Sequence, residues 1–393
     1  MQTAAILGDH AAVSRFLEAD PHSATAKAAP RDWEPLTYLC FSRYLRLDAA
    51  RSGNFVRTAT ALLDAGADAN TGFFEPSHLP GPEFESVLYG AAGIAHHPEL
   101  TLLLIERGAD PNNGEVVYHT PETYDNRAMR VLVESGKLTA DSLATLLLRK
   151  HDWHDFEGVR YLLEHGADPN RMTHWGRTSL CHAIQRDNHL TIIALSLDHF
   201  ADGCSVAALA ARRGRGDVLD LFQQRGIPIE LNGIDRLLAG CATDDTAAIQ
   251  SIKSAGPELL LQLRVDGGTL LSEFAGNGNA AGVRNLLDLG ADIQSLCREG
   301  DGYFGIAKNS MALHVAAWRA RHDTVRLLIE RGAPVNVIDG AGTPLALAIR
   351  ACTDSYWMNR RSTESIAALL NAGASKAGII LPTGYPEADI LLR

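Results

Sequence analysis

The chain has 393 residues, of which 46% are hydrophobic, 21% charged and only 6% aromatic, with a formal net charge of -11 at pH 7. That length suits two or three compact domains or one long repeat array, and the composition is that of a folded chain whose core is built from Ala, Leu, Val and Ile. The negative charge argues against general binding to nucleic acid or an anionic membrane.

The opening residues MQTAAILGDHAAV lack the basic and apolar regions of a secretory signal, and no apolar run reaches the length of a membrane span. A first, degenerate helix pair spans 3–20 and begins inside its own first helix at Thr3-Ala4-Ala5. It is either a trimmed cap or the remainder of a unit with an upstream segment. A glycine that stops a helix then recurs along the chain, at Gly66 in LLDAGADAN, Gly108 in LLIERGADPN, Gly136, Gly166 in YLLEHGADPN, Gly226, Gly256, Gly290, Gly332 in LLIERGAPVN and Gly373. Asp20 and Phe200 fill the same slot in two weaker copies.

The spacing of these marks is uneven. The interval from Gly66 to Gly108 is long, with the excess in the hairpin TGFFEPSHLPGPEFE; that from Gly290 to Gly332 is equally long, with the excess in SLCREGDGYFGIAKNS. Further insertions fall between paired helices at 41–57, 150–155 and 352–365. The unit at about 112–138 is irregular, because YHTPETYDN replaces a hairpin and most of a first helix. Thr120 and Pro121 there predict the N-cap and first position of a helix. A terminal turn and short helix at about 377–393 close the chain as a cap. The six cysteines (Cys40, Cys181, Cys204, Cys241, Cys297, Cys352) show no C-x-x-C spacing, which argues against a zinc site or disulfide framework and for a reducing, cytoplasmic compartment.

The most complete copy is MALHVAAWRARHDTVRLLIERGAPVNVIDGAG, from Met311 to Gly342, followed by Thr343-Pro344-Leu345. This stretch resembles an ankyrin repeat, whose signature includes T-P-L-H-x-A at a period of about 33 residues. The resemblance implies an all-α solenoid of helix–turn–helix units joined by β-hairpin-like loops. About eleven units, several degenerate, would form a single array over 1–393. Degenerate copies do not break such an array, because each unit buries its face against its neighbours. The resemblance also implies a protein-binding scaffold without a cofactor, with first helices and hairpin tips on a concave face.

On that register, His314 is a structural histidine that bonds to backbone and orders the hairpin, and Ala95-His96 is a structural turn. Asp68, Asp110, Asp168 and Asp292 belong to hairpin entries rather than to catalytic carboxylate pairs. The inner-face slots hold Arg186, Arg212, Arg213, Trp318, Arg319 and Arg350. Arginine and tryptophan are enriched at binding hot spots, so a positive strip facing an acidic protein partner is expected. Phe73, Phe74 and His78 on one long hairpin, Tyr303 on the other, and Trp175 complete the candidate partner-binding set. Phe73 and Phe74 are expected to fold over the concave side, with Tyr303 and Phe304 projecting from the same edge. The competing reading is an enzyme or small-ligand binder using the polar stretch 118–155. His119, Tyr124, His151 and His154 would have to converge on one cavity there. His151 and His154 lie close together beside carboxylates, yet no H-E-x-x-H spacing or third ligand supports a metal.

Overall fold

The computed structural model describes every residue except Asp48, Gly256, Pro257 and Tyr356, so the expected mark at Gly256 lies outside the described residues. The chain divides into two compact units, Met1–Asp202 and Gly203–Arg393. Helices dominate both, and no described helix is long and apolar enough to cross a membrane.

In Met1–Asp202 the first helices of successive pairs are Gln2–Ile6, Pro35–Cys40, Val87–Tyr89 with its continuation Gly90–Ile94, Gly114–His119, Ala140–Asp152 and Ser179–Gln185. Each packs beside the next. Their partners, among them His10–Ala19, Ser52–Asp64, Pro98–Glu106 and Phe156–Glu164, form a second layer. Leu36, Leu39, Phe55, Leu62, Leu88, Leu100 and Leu104 fill the space between the layers and are fully or almost fully buried.

Gly203–Arg393 repeats the scheme with Ala207–Arg212, Gly233–Ala242, Glu258–Asn277, Ala312–Trp318 and Pro344–Thr353 as first helices. Glu258–Asn277 is 20 residues long. The run ELLLQLRVDGG stays helical through Asp266, Gly267 and Gly268, residues of the kind that form turns elsewhere, so helix takes the place of the hairpin. Pro386–Leu392 forms the terminal helix.

The helix-stopping marks adopt the backbone they need. Gly66, Gly108, Gly136, Gly166, Gly226, Gly290, Gly332 and Gly373 all have positive φ, with 90° at Gly166 and 85° at Gly332, and Phe200 follows at 65°. Asp20 departs from the register: its backbone is extended, and its carboxylate caps the short turn beginning at Pro21.

Asparagines just beyond these marks tie neighbouring pairs together. The Asn70 side chain donates to the Gly108 carbonyl at 3.0 Å and accepts from the Asp110 N–H at 2.8 Å. Asn170 does the same with Phe200 and Asp202, and Asn336 with Gly373 and Ser375. One side chain thus satisfies both a carbonyl and an N–H of the adjacent turn, groups that secondary structure leaves unpaired at a helix end. The aspartates at Asp68, Asp110, Asp168 and Asp292 accept from the N–H two residues on, as local turn formers.

Both long insertions form two-stranded antiparallel hairpins, Gly72–Glu75 with Glu83–Ser86 and Leu296–Cys297 with Ser310–Met311. The irregular stretch differs from its expected form. Tyr118 and His119 end the helix Gly114–His119, and Thr120 caps its C-terminus, its hydroxyl donating to the Val116 carbonyl at 2.6 Å. The second helix starts only at Arg127. Thr120 is therefore not an N-cap. A buried lysine pins the turn between these helices. Lys150 donates to Asp155 at 2.8 Å and to the Thr123 carbonyl, while Asn126 donates to Asp155 at 2.8 Å.

Candidate functional site

Successive first helices and hairpins of Met1–Asp202 present aromatic side chains whose rings touch in sequence. Trp33 stacks on Phe73 of the long hairpin at 4.2 Å between centroids. Phe73 meets Phe41 at 5.1 Å, and Phe41 meets Tyr89 at 5.8 Å. Tyr89 contacts His119 at 5.1 Å, His119 contacts Tyr118 at 4.8 Å, and Tyr118 contacts Trp175 at 5.6 Å. Trp33, Phe41, Phe73, Tyr89, Tyr118 and His119 are all half-buried, and Trp175 is exposed. Edge-to-face and offset contacts of this kind contribute about 0.5–1.5 kcal/mol each beyond area burial, so the row is preorganised while part of each ring remains accessible.

Glu85, the cross-strand partner of Phe73, is buried on strand Glu83–Ser86. Burial, reinforced by the charge of Glu115, pushes its carboxyl up to about 7. His119 sits between two carboxylates, at 2.9 Å from Glu122 and 3.1 Å from Glu115. Burial pulls its pKa down, but the hydrogen bond and charge of Glu122 outweigh it, and the imidazole titrates above its usual value.

The row ends at a small solvent-open cleft lined by Tyr118, Leu148, Arg149, Trp175, Arg177, His182 and Arg186. Its base is the buried carboxylate of Asp152. His182 Nε2 donates to Asp152 at 2.8 Å, Arg186 Nε donates to it at 2.6 Å, and Arg149 also pairs with it. Burial would raise this carboxyl; the His182 hydrogen bond and the Arg149 and Arg186 charges instead hold it down to about 2. Arg149 also pairs with Glu122, donates to the Tyr118 carbonyl at 3.3 Å and lies 3.9 Å over the Tyr118 ring. Arg177 stands exposed at the mouth, just before the helix Ser179–Gln185.

The four residues of the enzyme reading do not converge. His151 is fully buried, with Nδ1 3.3 Å from the Asn188 side-chain oxygen. Tyr124 is 68% exposed and meets Trp153 edge-on. His154 is exposed on a left-handed turn. His119 belongs to the aromatic row, and none of the four lines the cleft. The reason is helical continuity: Ala140–Asp152 runs through His151 and Asp152, so these two face different neighbours instead of sharing a loop.

The arginine strip is corrected in the same way. Arg186 lines the cleft, but Arg212 pairs with Asp235 at 2.6 Å, and Arg213 is buried against Glu273 at 3.0 Å. Arg319 is 2% exposed, its guanidinium 4.0 Å over Phe304 and 4.8 Å over Trp357. Arg350 is exposed and lies 5.1 Å over Trp318. Phe304 is buried instead of projecting, and the half-buried Trp318 donates its ring N–H to the Phe304 carbonyl at 2.6 Å. Tyr303 is half-buried, edge-on to Phe304. The two insertions of Gly203–Arg393 thus meet through Phe304, Arg319 and Trp357 in their own core. On the other long hairpin, Phe73 packs into the row, whereas Phe74 and His78 are exposed. His314 fulfils its structural expectation: it is buried, and Nε2 donates to the Val337 carbonyl at 2.9 Å.

Sequence reasoning missed Trp33, Phe41, Tyr89, Arg149 and Arg177. The available signal was the recurrence of an aromatic or arginine at first-helix and hairpin positions between 33 and 177, although aromatics make up only 6% of the chain. Comparison with curated proteins gives no match. Residues 309–340, which hold strand Ser310–Met311, the pair Ala312–Trp318 and His322–Glu330, and the Gly332 turn, match the family model of the ankyrin repeat.

Proposed function

We propose that the chain is a single array of about eleven ankyrin-like units acting as a scaffold that binds a protein partner. Its contact surface is the aromatic row of Met1–Asp202. The row itself carries this reading: six half-buried rings and one exposed ring touch in series across successive units. Rigid aromatic anchors give large contact area at little entropic cost, and they dominate interface energy where they cluster. The corresponding aromatics of Gly203–Arg393, Phe304 and Trp357, are spent on internal packing. All six cysteines are free, which supports a reducing compartment.

The test begins with peptides selected from a random displayed library against the full chain. Affinity is then measured for Trp33→Ala and Phe73→Ala, with circular dichroism to confirm folding, and for Tyr303→Ala as a control. The expected result is at least a tenfold loss for the first two and none for the third, by the arithmetic of about 1.4 kcal/mol per decade. Equal affinities in all three would overturn the proposal.

A further inference from the structure

The cleft at the end of the row has its own chemistry. Its seven lining residues include three arginines and no carboxylate. The one carboxylate at its base, Asp152, has a side chain only 6% exposed and is shared among Arg149, Arg186 and His182. Glu122, also outside the lining, pairs with Arg149 and is shared with His119. The charged groups of the lining are therefore arginines, and the two carboxylates that pair with them, Asp152 and Glu122, stand outside the lining.

Two of these guanidinium groups are fixed before any ligand arrives. Arg149 is clamped by Asp152, Glu122, the Tyr118 carbonyl and the Tyr118 ring, and its side chain is 13% exposed. A guanidinium carries five N–H donors, and Arg149 commits three nitrogens to these partners with one bond each. Two of its N–H groups remain for a ligand. Arg186 is anchored through Nε on Asp152. Arg177, exposed at the mouth, has no ion pair among the described residues. Fixing a planar donor fork in advance lowers the ordering cost of binding a carboxylate bidentately. Tyr118, Trp175 and Leu148 supply an apolar wall beside the charges.

We propose that this cleft receives the carboxylate side chain of an acidic segment in the protein partner, with the segment continuing along the aromatic row. The inference rests on the scaffold reading above and names the chemistry of one end of its surface. Charge complementarity selects this occupant. The chain as a whole carries -11 and repels acidic peptides, so any attraction must come from a local concentration of cations. Basic segments would meet three guanidinium groups and are disfavoured, since like charges across an interface suppress wrong partners.

The experiment measures fluorescence anisotropy of a labelled, acetylated and amidated hexaglutamate on the full chain at low salt, with hexaglutamine and hexalysine as controls. Hexaglutamate is expected to bind, and the two controls are not. Binding should weaken steeply as salt rises. Arg177→Glu should weaken it at least tenfold, and Trp175→Ala should also weaken it. Arg298→Glu, an exposed charge reversal in Gly203–Arg393, should leave it unchanged. Arg177 is exposed and has no ion pair among the described residues, so its reversal tests binding without threatening the fold. Absence of hexaglutamate binding up to millimolar concentration would overturn the inference, as would an equal loss in Arg177→Glu and Arg298→Glu. Failure of the scaffold reading would instead appear in the Trp33 and Phe73 variants, which lie outside the cleft.

Discussion

Replacing Asp152 by asparagine removes one charge from the base of the cleft and leaves the side chain's size unchanged. The carboxyl titrates at about 2 in the fold against a reference value of 3.8, and its side chain is 6% exposed. At about 1.4 kcal/mol per pH unit, the ionised form contributes roughly 2 kcal/mol to folding at neutral pH. Arg149, Arg186 and His182 would each lose a charged acceptor, and uncompensated buried charge adds to the loss. The expected cost of Asp152→Asn is therefore about 2–3 kcal/mol. Because the folded pKa lies below the unfolded one, this contribution is fully present above about pH 4 and disappears as pH falls towards 2. Hydrogen exchange resolves the effect locally: peptides covering 140–186 should exchange faster in the variant at pH 7, while peptides covering 312–353 serve as an internal reference. Exchange in 140–186 that stays within about 0.5 kcal/mol of the parent at pH 7, the range of an ordinary surface substitution, would refute the reasoning, since the carboxylate would then hold nothing.

Other outcomes follow from the same packing. Glu85→Gln should stabilise the protein above neutral pH: the buried carboxyl titrates at about 7 in the fold, so the parent loses stability as pH rises from about 4.5 through 7. Thermal melts at pH 5 and pH 8 read this, and a variant gain that is equal at both values would contradict it. Asn336→Ala removes both bonds to the turn at Gly373 and Ser375 and should cost about 1–2 kcal/mol in urea unfolding; a neutral effect would show the interlock to be idle. Gly332 has φ of 85° with open space where a Cβ would stand, so Gly332→Val acts through backbone strain alone and should cost about 1–3 kcal/mol. A cost matching that of a valine placed on an exposed helix surface would contradict the assignment of the turn.

The register of the repeats was legible because its devices are local. A left-handed glycine, an aspartate turning its own backbone and an asparagine close behind announce themselves within one short run of sequence. The structural role of His314 was legible for the same reason. The aromatic row was not, because Trp33, Phe73, Tyr89 and Tyr118 are scattered along the chain and become neighbours only when the first helices stand side by side. The arginines were the least legible. Slot position alone placed Arg319 on an open face, whereas two insertions supplied Phe304 and Trp357 to sandwich it. His151 and Asp152 have the composition of a loop, yet the extra residues there were absorbed by extending the helix Ala140–Asp152.

Hydroxyl-radical footprinting of aromatic side chains, with and without a selected peptide bound to the full chain, addresses the central claim most directly. Trp33, Phe73, Tyr89, Tyr118 and Trp175 should become protected together, while Tyr303 and Trp318 should react at unchanged rates. Protection confined to Tyr303 and Trp318, or to the exposed Phe16 and Phe156 on second helices, would contradict the assignment of the aromatic row as the binding surface.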